Sequence, residues 1–338
     1  YSAFLPEAKN IASNMTTTPQ ASPRIAAIIP CYNEALAIGQ VLDAFHVALP
    51  EAALFVFDNN STDGTADVAR AHGAQVIHVH LRGKGNVVRR MFADVEADIY
   101  VMVDGDATYD VSSVRQMIDA LQSQRLDMVI GCRVDDGSSQ AIYRPGHRIG
   151  NRLLTGSVLK IFGGHFTDML SGYRIFSRRY AKSFPASSQG FETETELTVH
   201  ALELRMPYAE YPTPYYARPE GSESKLSTFK DGWRILKTIV KLFVSERPMT
   251  FFSVLALILA LTSVGLAIPL AWTYLESGLV PRLPTALLST GTMLSAMLSL
   301  VCGAVLNTVT LGRREVKWLT YLAIPAPTTG DSLQSLRS

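Results

Sequence analysis

Two carboxylates separated by a glycine, Asp104-Gly105-Asp106, follow directly on the run Tyr100-Val101-Met102-Val103. Aspartates this close repel one another and are costly to desolvate, and a divalent cation removes both penalties. Gly105 lets the backbone come close to whatever such a cation carries. On its own the tripeptide fits a polar turn after a strand equally well. What decides between the two readings is the company it keeps.

The run before Asp104 is short, partly β-branched and without alternation, so it predicts a strand buried on both faces. Such strands belong to parallel sheets with helices on either side, and open α/β sheets place ligands at the carboxyl ends of their strands. The rest of the first half repeats the theme. Strands are expected at 25–29, 54–57, 75–80 and 127–132, with Pro30 ending the first ladder. Helices are expected at 35–48, from Asp63 or Ser61 as N-cap to 72, after 86, and from Asp110 to 123. The alternation gives a doubly wound α/β domain. Its polar tips then collect at one edge: Asn33 and Glu34, Asp58 to Asp63, Arg82 to Lys84, Asp104 and Asp106, and Arg133. Acidic groups suit the donors of a base and ribose, and a cation and a lysine suit a diphosphate. Gly83-x-Gly85 is a poor dinucleotide fingerprint and no GxxxxGK[ST] is present, which disfavours a dehydrogenase or a P-loop enzyme.

Composition narrows the class. The 338 residues carry net charge +1, which argues against a nucleic-acid binder driven by bulk charge. Mean hydropathy is +0.14, and the apolar excess is localised after residue 247. Cys31, Cys132 and Cys302 lack metal-ligand spacing and give no disulfide framework, so a reducing compartment is expected. No signal-peptide pattern is seen in residues 1–23, which read as a flexible tail; Met15 reads as the native start, with 1–14 an added stretch.

Taken together, IIPCYNEA, FDNNSTDGT, LRGKGNVVRR, VDGDATYD and DMLSGYRIFSRR resemble family 2 glycosyltransferases with a GT-A fold. The resemblance is strongest to membrane-attached polyprenyl-phosphate glycosyltransferases and covers residues 24 to about 315. It implies a Rossmann-like, mostly parallel catalytic domain over 24–225. It also implies that Pro30, Tyr32, Glu34, Asp58, Lys84, Gly105 and Lys225 bind a nucleotide-diphosphate sugar, with Asp104 and Asp106 holding Mg²⁺ or Mn²⁺. Asp58 is followed by Asn59 where many relatives have a second acid, and Thr108 stands where a glutamine can approach the metal. Arg133, Arg148 and Ser171 are implied at an acceptor phosphate, with Arg152 less clearly placed. Asp168 and Glu194 are implied beside the donor sugar, Glu196 being the alternative to Glu194. Residues 133–147 read as a lid, and the loop carrying Arg218, Ser224 and Lys225 as a cover for the diphosphate. Taken singly, Glu34, Glu192, Glu194 and Glu196 also fit first-turn helix carboxylates, and His147 and His165 fit structural roles.

The second half carries no comparable chemistry. Leu226, Phe229, Trp233, Leu236, Val240 and Phe243 recur on one side of a helix flanked by Lys230, Arg234, Lys237 and Lys241. That pattern predicts an amphipathic helix over 226–247 that lies in a membrane interface, or else packs on the catalytic domain. Residues 248–275 and 283–312 hold no charge and each exceeds the roughly 20 residues that span a bilayer. A transmembrane hairpin over 248–312 is expected, kinked at Pro269, and a cytoplasmic tail over 313–338. The basic residues on both flanks place both termini and the catalytic domain in the cytoplasm.

The expected activity is transfer of one sugar from a UDP- or GDP-linked donor to a polyprenyl phosphate, with inversion. The acceptor phosphate is already anionic, so positioning, Arg133 and the metal at Asp106 carry the catalysis without a strong base. A processive polysaccharide synthase is the nearest alternative, but the chain has no QxxRW motif. A non-catalytic nucleotide-binding scaffold is the other. A homo-oligomer is compatible with either reading.

Overall fold

The computed structural model describes residues 22–134, 147–190, 192–219 and 228–325. Strand and helix alternate from β1 (Ile25–Cys31), α1 (Ile38–Ala48), β2 (Ala53–Asp58), α2 (Thr65–Ala71) and β3 (Gln75–His78) to α3 (Lys84–Asp94) and β4 (Ile99–Met102). A 3₁₀ turn at Val111–Ser113 leads into α4 (Val114–Ser123), followed by β5 (Met128–Val134) and α5 (His147–Phe162). Then come β6 (Arg174–Ser177), α6 (Arg178–Ser183), α7 (Thr193–Glu203) and β7 (Tyr208–Pro214). The strands form one sheet in the order β3-β2-β1-β4-β6-β5-β7. All run parallel except β6, which pairs antiparallel with both β4 and β5.

Strand β4 sits centrally because nothing on it can face water. Tyr100 and Met102 enter one core with Val87, Val88 and Met91 of α3, Tyr180 of α6 and Leu197 of α7. Val101 and Val103 enter the other, with Ile38, Leu42 and Phe45 of α1 and Met117 and Leu121 of α4. This is the two-residue period of a strand covered on both faces.

The sheet differs from the sequence expectation in two places. Pro30 does not end β1; the strand runs on to Cys31, with Pro30 opposite Phe57 of β2. Pairing with β4 stops at Ile28, so β2 alone carries the ladder beyond it. The Arg174–Ser177 strand was not expected, because its four residues follow a glycine-containing loop and lie in a stretch dominated by motif residues. Strand β7, with its prolines, lies at the edge of the sheet, where a missing N–H breaks no ladder.

Helix α8 (Thr228–Glu246) has two apolar faces. Ile235 and Ile239 are buried against Leu154 and Val158 of α5, Val199 of α7 and Met169. Trp233, Leu236 and Val240 are exposed, forming a separate apolar stripe. The helix therefore packs on the catalytic domain and still presents an apolar surface.

Helices α9 (Pro248–Ser277) and α10 (Leu283–Leu322) form an antiparallel hairpin, each long and apolar enough to cross a membrane. Leu257, Ile258, Leu261, Trp272, Leu287, Leu298 and Val301 are exposed along it, which is no pattern for a core hairpin. Its buried seam repeats every seven residues in small side chains: Ala256 and Ser263 on α9, and Ser289, Ala296, Gly303 and Thr310 on α10. Ser263 Oγ donates to the Ser289 carbonyl at 2.7 Å, and Ser289 Oγ donates back to the Ser263 carbonyl at 2.9 Å.

The expected tail after residue 312 is instead ten further residues of α10, up to Leu322. Buried acids hold them. Glu203 takes Lys317 at 2.7 Å and Arg314 at 3.4 Å, while Tyr321 donates to Asp127 at 2.8 Å. Asp127 precedes β5, at the opposite end of the sheet from Asp104.

Candidate active site

Asp104 and Asp106 stand at the carboxyl end of β4, where the backbone turns sharply enough to place Ala107 in the left-handed region (φ 56°). A Cβ on Gly105 would lie 2.5 Å from Cys31 Sγ, so only glycine fits between the carboxylates and the β1 tip. A Cβ on Gly172 would overlap the Asp104 carboxylate itself. The backbone N–H of Gly172 donates to Tyr109 Oη at 2.9 Å, which fixes that close approach.

Each carboxylate has a cation beside it. Lys84 Nζ, at the start of α3, is 2.5 Å from Asp104 Oδ1 and 2.6 Å from Glu194 Oε1 on α7. Burial works against the lysine charge, yet the two acids together hold its pKa above that of an ordinary lysine. Burial pushes the Glu194 carboxyl up against the pull of Lys84. Arg218 Nη2 is 2.5 Å from Asp106 Oδ2, and its Nη1 lies 3.5 Å from Glu34 Oε1. Burial, and then the Asp104 charge, raise the Asp106 pKa while Arg218 and Thr108 oppose them. Thr108 donates its hydroxyl to Asp106 Oδ1 at 2.6 Å and its N–H to the same oxygen at 3.1 Å. Thr108 is thus a brace on the carboxylate.

The neighbouring tips are equally tied together. Asp58 is buried, accepting from Ser61 N–H at 3.3 Å and lying 3.0 Å from His78 Nδ1. Asn59 donates to the Val79 and Leu81 carbonyls, both at 2.8 Å, and accepts from Gly83 N–H at 2.7 Å. Its amide serves the turn that presents Lys84. In that turn, Gly83 (φ 115°) and Gly85 pass so close to the Gln189 and Ser188 carbonyls that no Cβ fits. Glu196 accepts from Ser187 and Ser188 N–H at 2.9 and 2.8 Å, so it holds that facing loop, whereas Glu194 faces Lys84. Pro30 is half-buried, Tyr32 is exposed and Glu34 is buried, all around the same edge.

Arg133 makes a two-pronged bond to Asp168, Nε to Oδ2 and Nη2 to Oδ1 both at 2.7 Å, and stacks 5.5 Å from the Tyr215 ring centre. Ser171 does not fit the expected phosphate contact. It is fully buried and donates its hydroxyl to the Gly131 carbonyl at 2.5 Å, so it closes the loop between β5 and β6. The side chains of His147, Arg148 and Arg152, the loop 135–146, and Ser224 and Lys225 lie outside the described residues. His165 is exposed and donates its backbone N–H to Tyr208 Oη at 2.8 Å.

Sequence reasoning missed Arg174. It is fully buried, donating to the carbonyls of Met169, Ser171 (3.0 Å) and Glu194 (3.3 Å) and to Thr198 Oγ1 (3.1 Å). Burial lowers its pKa. One guanidinium therefore ties the loop that carries Asp168 to the first turn of the helix that carries Glu194. An arginine opening the apolar run Arg174-Ile175-Phe176 was the signal.

Residues 26–184 match Glycosyl transferase family 2. Glycosyltransferase AglJ of Haloferax volcanii is 34% identical over 258 residues, covering 76% of this chain and 83% of that protein. The chain belongs to this family. A dolichyl-phosphate hexose transferase of the same organism is 28% identical, over 66% of this chain and 95% of its own length. Among solved structures, the glucosyl-3-phosphoglycerate synthase of Mycobacterium tuberculosis, in complex with Mn²⁺, UDP-glucose and phosphoglyceric acid, superposes with a TM-score of 0.51. It has 21% identity and covers 67% of this chain and 80% of that one. The glycosyltransferase described here accordingly has a GT-A-like catalytic fold followed by two long apolar helices.

The donor set of the carboxylate pair is that of an open metal site. Among the described residues no third His, Cys, Asp or Glu joins Asp104 and Asp106 to make a closed cage. Two carboxylates beside an open edge suit Mg²⁺ or Mn²⁺, which complete their shells with substrate phosphates and water. Lys84 and Arg218 show that both carboxylates already face positive charge.

Proposed function

We propose that this glycosyltransferase moves a hexose from a nucleotide-diphosphate sugar to a polyprenyl phosphate at the cytoplasmic face of a membrane, with inversion. The observation that carries the proposal is the Asp104–Asp106 pair, flanked by Lys84 and Arg218 at the end of β4, in a chain that also carries an apolar hairpin. The name of the dolichyl-phosphate hexose transferase relative supports the acceptor, and the Mn²⁺ and UDP-glucose of the solved structure support the donor. A uridine donor is preferred.

Asp104 and Asp106 would hold a divalent cation, which supplies charge stabilisation for the departing nucleoside diphosphate. Asp58, Glu34, Pro30, Tyr32 and Gly105 would form the nucleotide edge. Lys84 and Arg218, and Lys225 beyond the described residues, would lie against the donor phosphates. Glu194 and Asp168 would orient the donor sugar. Arg133, held flat by Asp168 and Tyr215, and Arg148 would face the acceptor phosphate. That acceptor needs no deprotonation, so these side chains orient and neutralise rather than move a proton. With the hairpin in the bilayer, the basic residues Arg313, Arg314 and Lys317 would mark its cytoplasmic end.

The test is a donor screen. Purified full-length protein is given UDP- and GDP-sugars, a short polyprenyl phosphate and Mg²⁺ or Mn²⁺, and the lipid product is read by mass. One hexose added to the lipid in a metal-dependent reaction is expected. Donor consumption yielding polysaccharide, or transfer unaffected by Asp106→Asn, would sink the reading.

A further inference from the structure

A second basic feature lies away from the carboxylate pair. A cleft of about 450 Å³ is lined by Gly164, Glu203, Arg205 and Tyr208 of the catalytic domain and by Arg247 and Arg314 of the helical part. It lies at the far end of α7 from Glu194, nine residues on, or about 14 Å of helix rise. It also lies at the start of β7, the opposite end of the sheet from Asp104.

The charges in it do not cancel. Glu203 is the one acid in its lining, with Glu246 directly behind it; Lys317 faces both carboxylates, at 2.7 and 4.0 Å, while Arg314 lies 3.4 Å from Glu203 and Arg313 lies 3.4 Å from Glu246. Arg205 and Arg247 are exposed and have no acidic partner among the described residues. Arg205 holds the left-handed backbone region (φ 52°), which is unfavourable for a non-glycine residue. The cleft's level is set by the hairpin. Arg247 immediately precedes α9, and Arg314 follows the point where the apolar run of α10 ends. With the helices in a bilayer, both arginines stand at head-group depth.

We infer that this cleft binds the phosphate of an anionic membrane phospholipid, with Arg205 and Arg247 as its principal ligands and Arg314 in support. Guanidinium groups suit phosphate oxygens, and a cleft open at the foot of the apolar helices lets acyl chains run along them. The bound head group joins the catalytic domain to the hairpin at a place where Glu203 and Glu246, already faced by Lys317, Arg313 and Arg314, leave the positive charge of Arg205 and Arg247 in excess. The inference rests on the hairpin being in the membrane and is independent of which sugar or acceptor the enzyme uses.

The test uses full-length protein in a neutral detergent, titrated with dihexanoyl phosphatidylglycerol, dihexanoyl phosphatidylcholine or inorganic phosphate, with binding read by thermophoresis. Phosphatidylglycerol should bind, phosphatidylcholine should be much weaker, and Arg205→Gln/Arg247→Gln should weaken phosphatidylglycerol about tenfold or more. The single variant Arg205→Gln, at an exposed position, serves if the double variant does not fold, and should show a smaller loss. Unchanged affinity in the variants, or equal binding of phosphatidylcholine, overturns the site. Inorganic phosphate binding as tightly as phosphatidylglycerol overturns the lipid assignment. The assay reads no sugar transfer, so its failure leaves the proposed reaction standing.

Discussion

Lys84 and Glu194 form a buried ion pair at 2.6 Å, with side chains only 10% and 5% exposed, that bridges α3 and α7 across the end of the sheet. The same ammonium reaches Asp104. Removing Lys84 leaves two acids facing one another without compensation. Lys84→Met is expected to destabilise the fold by about 3–5 kcal/mol. Lys84→Met/Glu194→Gln should recover part of that loss, since only one buried charge then remains, without recovering transfer. Thermal unfolding of the native protein, Lys84→Met, Glu194→Gln and the double variant in one detergent checks the coupling; purely additive shifts would show that the pair does not act as a unit.

Asp106→Asn and Asp104→Asn should each lower transfer by roughly a hundredfold or more, and Asp106→Asn should leave the unfolding midpoint unchanged or raised. Removing one of two adjacent like charges relieves repulsion. Chelation should abolish the activity of the native protein, and Mg²⁺ or Mn²⁺ should restore it. Full activity after exhaustive chelation would contradict the metal assignment.

Gly172 packs directly on the Asp104 carboxylate. Gly172→Ala must displace that carboxylate or the loop held by Tyr109. A stability cost of about 1–3 kcal/mol is expected, as for other overpacked sites. The loss of transfer should exceed what the lower folded fraction explains, and should be largest at low metal concentration. A variant with native metal dependence would show that Asp104 does not move.

Arg174 donates to three carbonyls and one hydroxyl in a site with no water access. Arg174→Met strands those acceptors, each costing about 1–3 kcal/mol when buried unpaired. The variant should be poorly folded. Arg174→Lys should fold but lose kcat more than KM, because Asp168 and Glu194 shift together. An Arg174→Lys enzyme with native kcat would reduce Arg174 to a packing role.

His200 supplies the pH dependence. It is buried between the Tyr180 and Phe184 rings, with Nε2 3.2 Å from Ser183 Oγ. Burial, helped by Lys317, lowers its pKa from 6.5 to about 3. The unfolded chain therefore binds a proton between those values that the folded chain refuses. This contribution to stability is complete above pH 6.5 and is lost as pH falls toward 3, by at most about 1.4 kcal/mol per pH unit. Between pH 7 and 5 the unfolding midpoint should fall more steeply in the native protein than in His200→Gln. Parallel curves would show that His200 does not stay neutral in the fold.

Much of the fold was legible because its signals are local. Buried strands at 25, 54, 99 and 128 read as largely apolar runs, and 248–275 and 283–312 as uncharged ones. Asp104 and Asp106 were expected at the tip of a buried strand, and they stand there. Strand β6 was not legible, since four residues carry too little pattern. The fate of Ser171 was not legible either, because a serine near a site reads the same whether its hydroxyl faces a ligand or a carbonyl.

The amino-acid sequence by itself determined the alternation of strand and helix, the edge on which the acids and cations collect, and the apolar hairpin. These follow from periodicity and from the direction in which strands end. Only the tertiary structure decided which charges meet. Lys84 finds Glu194 across 110 residues and Arg218 finds Asp106 across 112. Arg174 joins two loops, and Glu203 and Asp127 turn an expected tail into the last turns of α10. Pairings of that range depend on the packing of whole elements against one sheet, which no local pattern encodes.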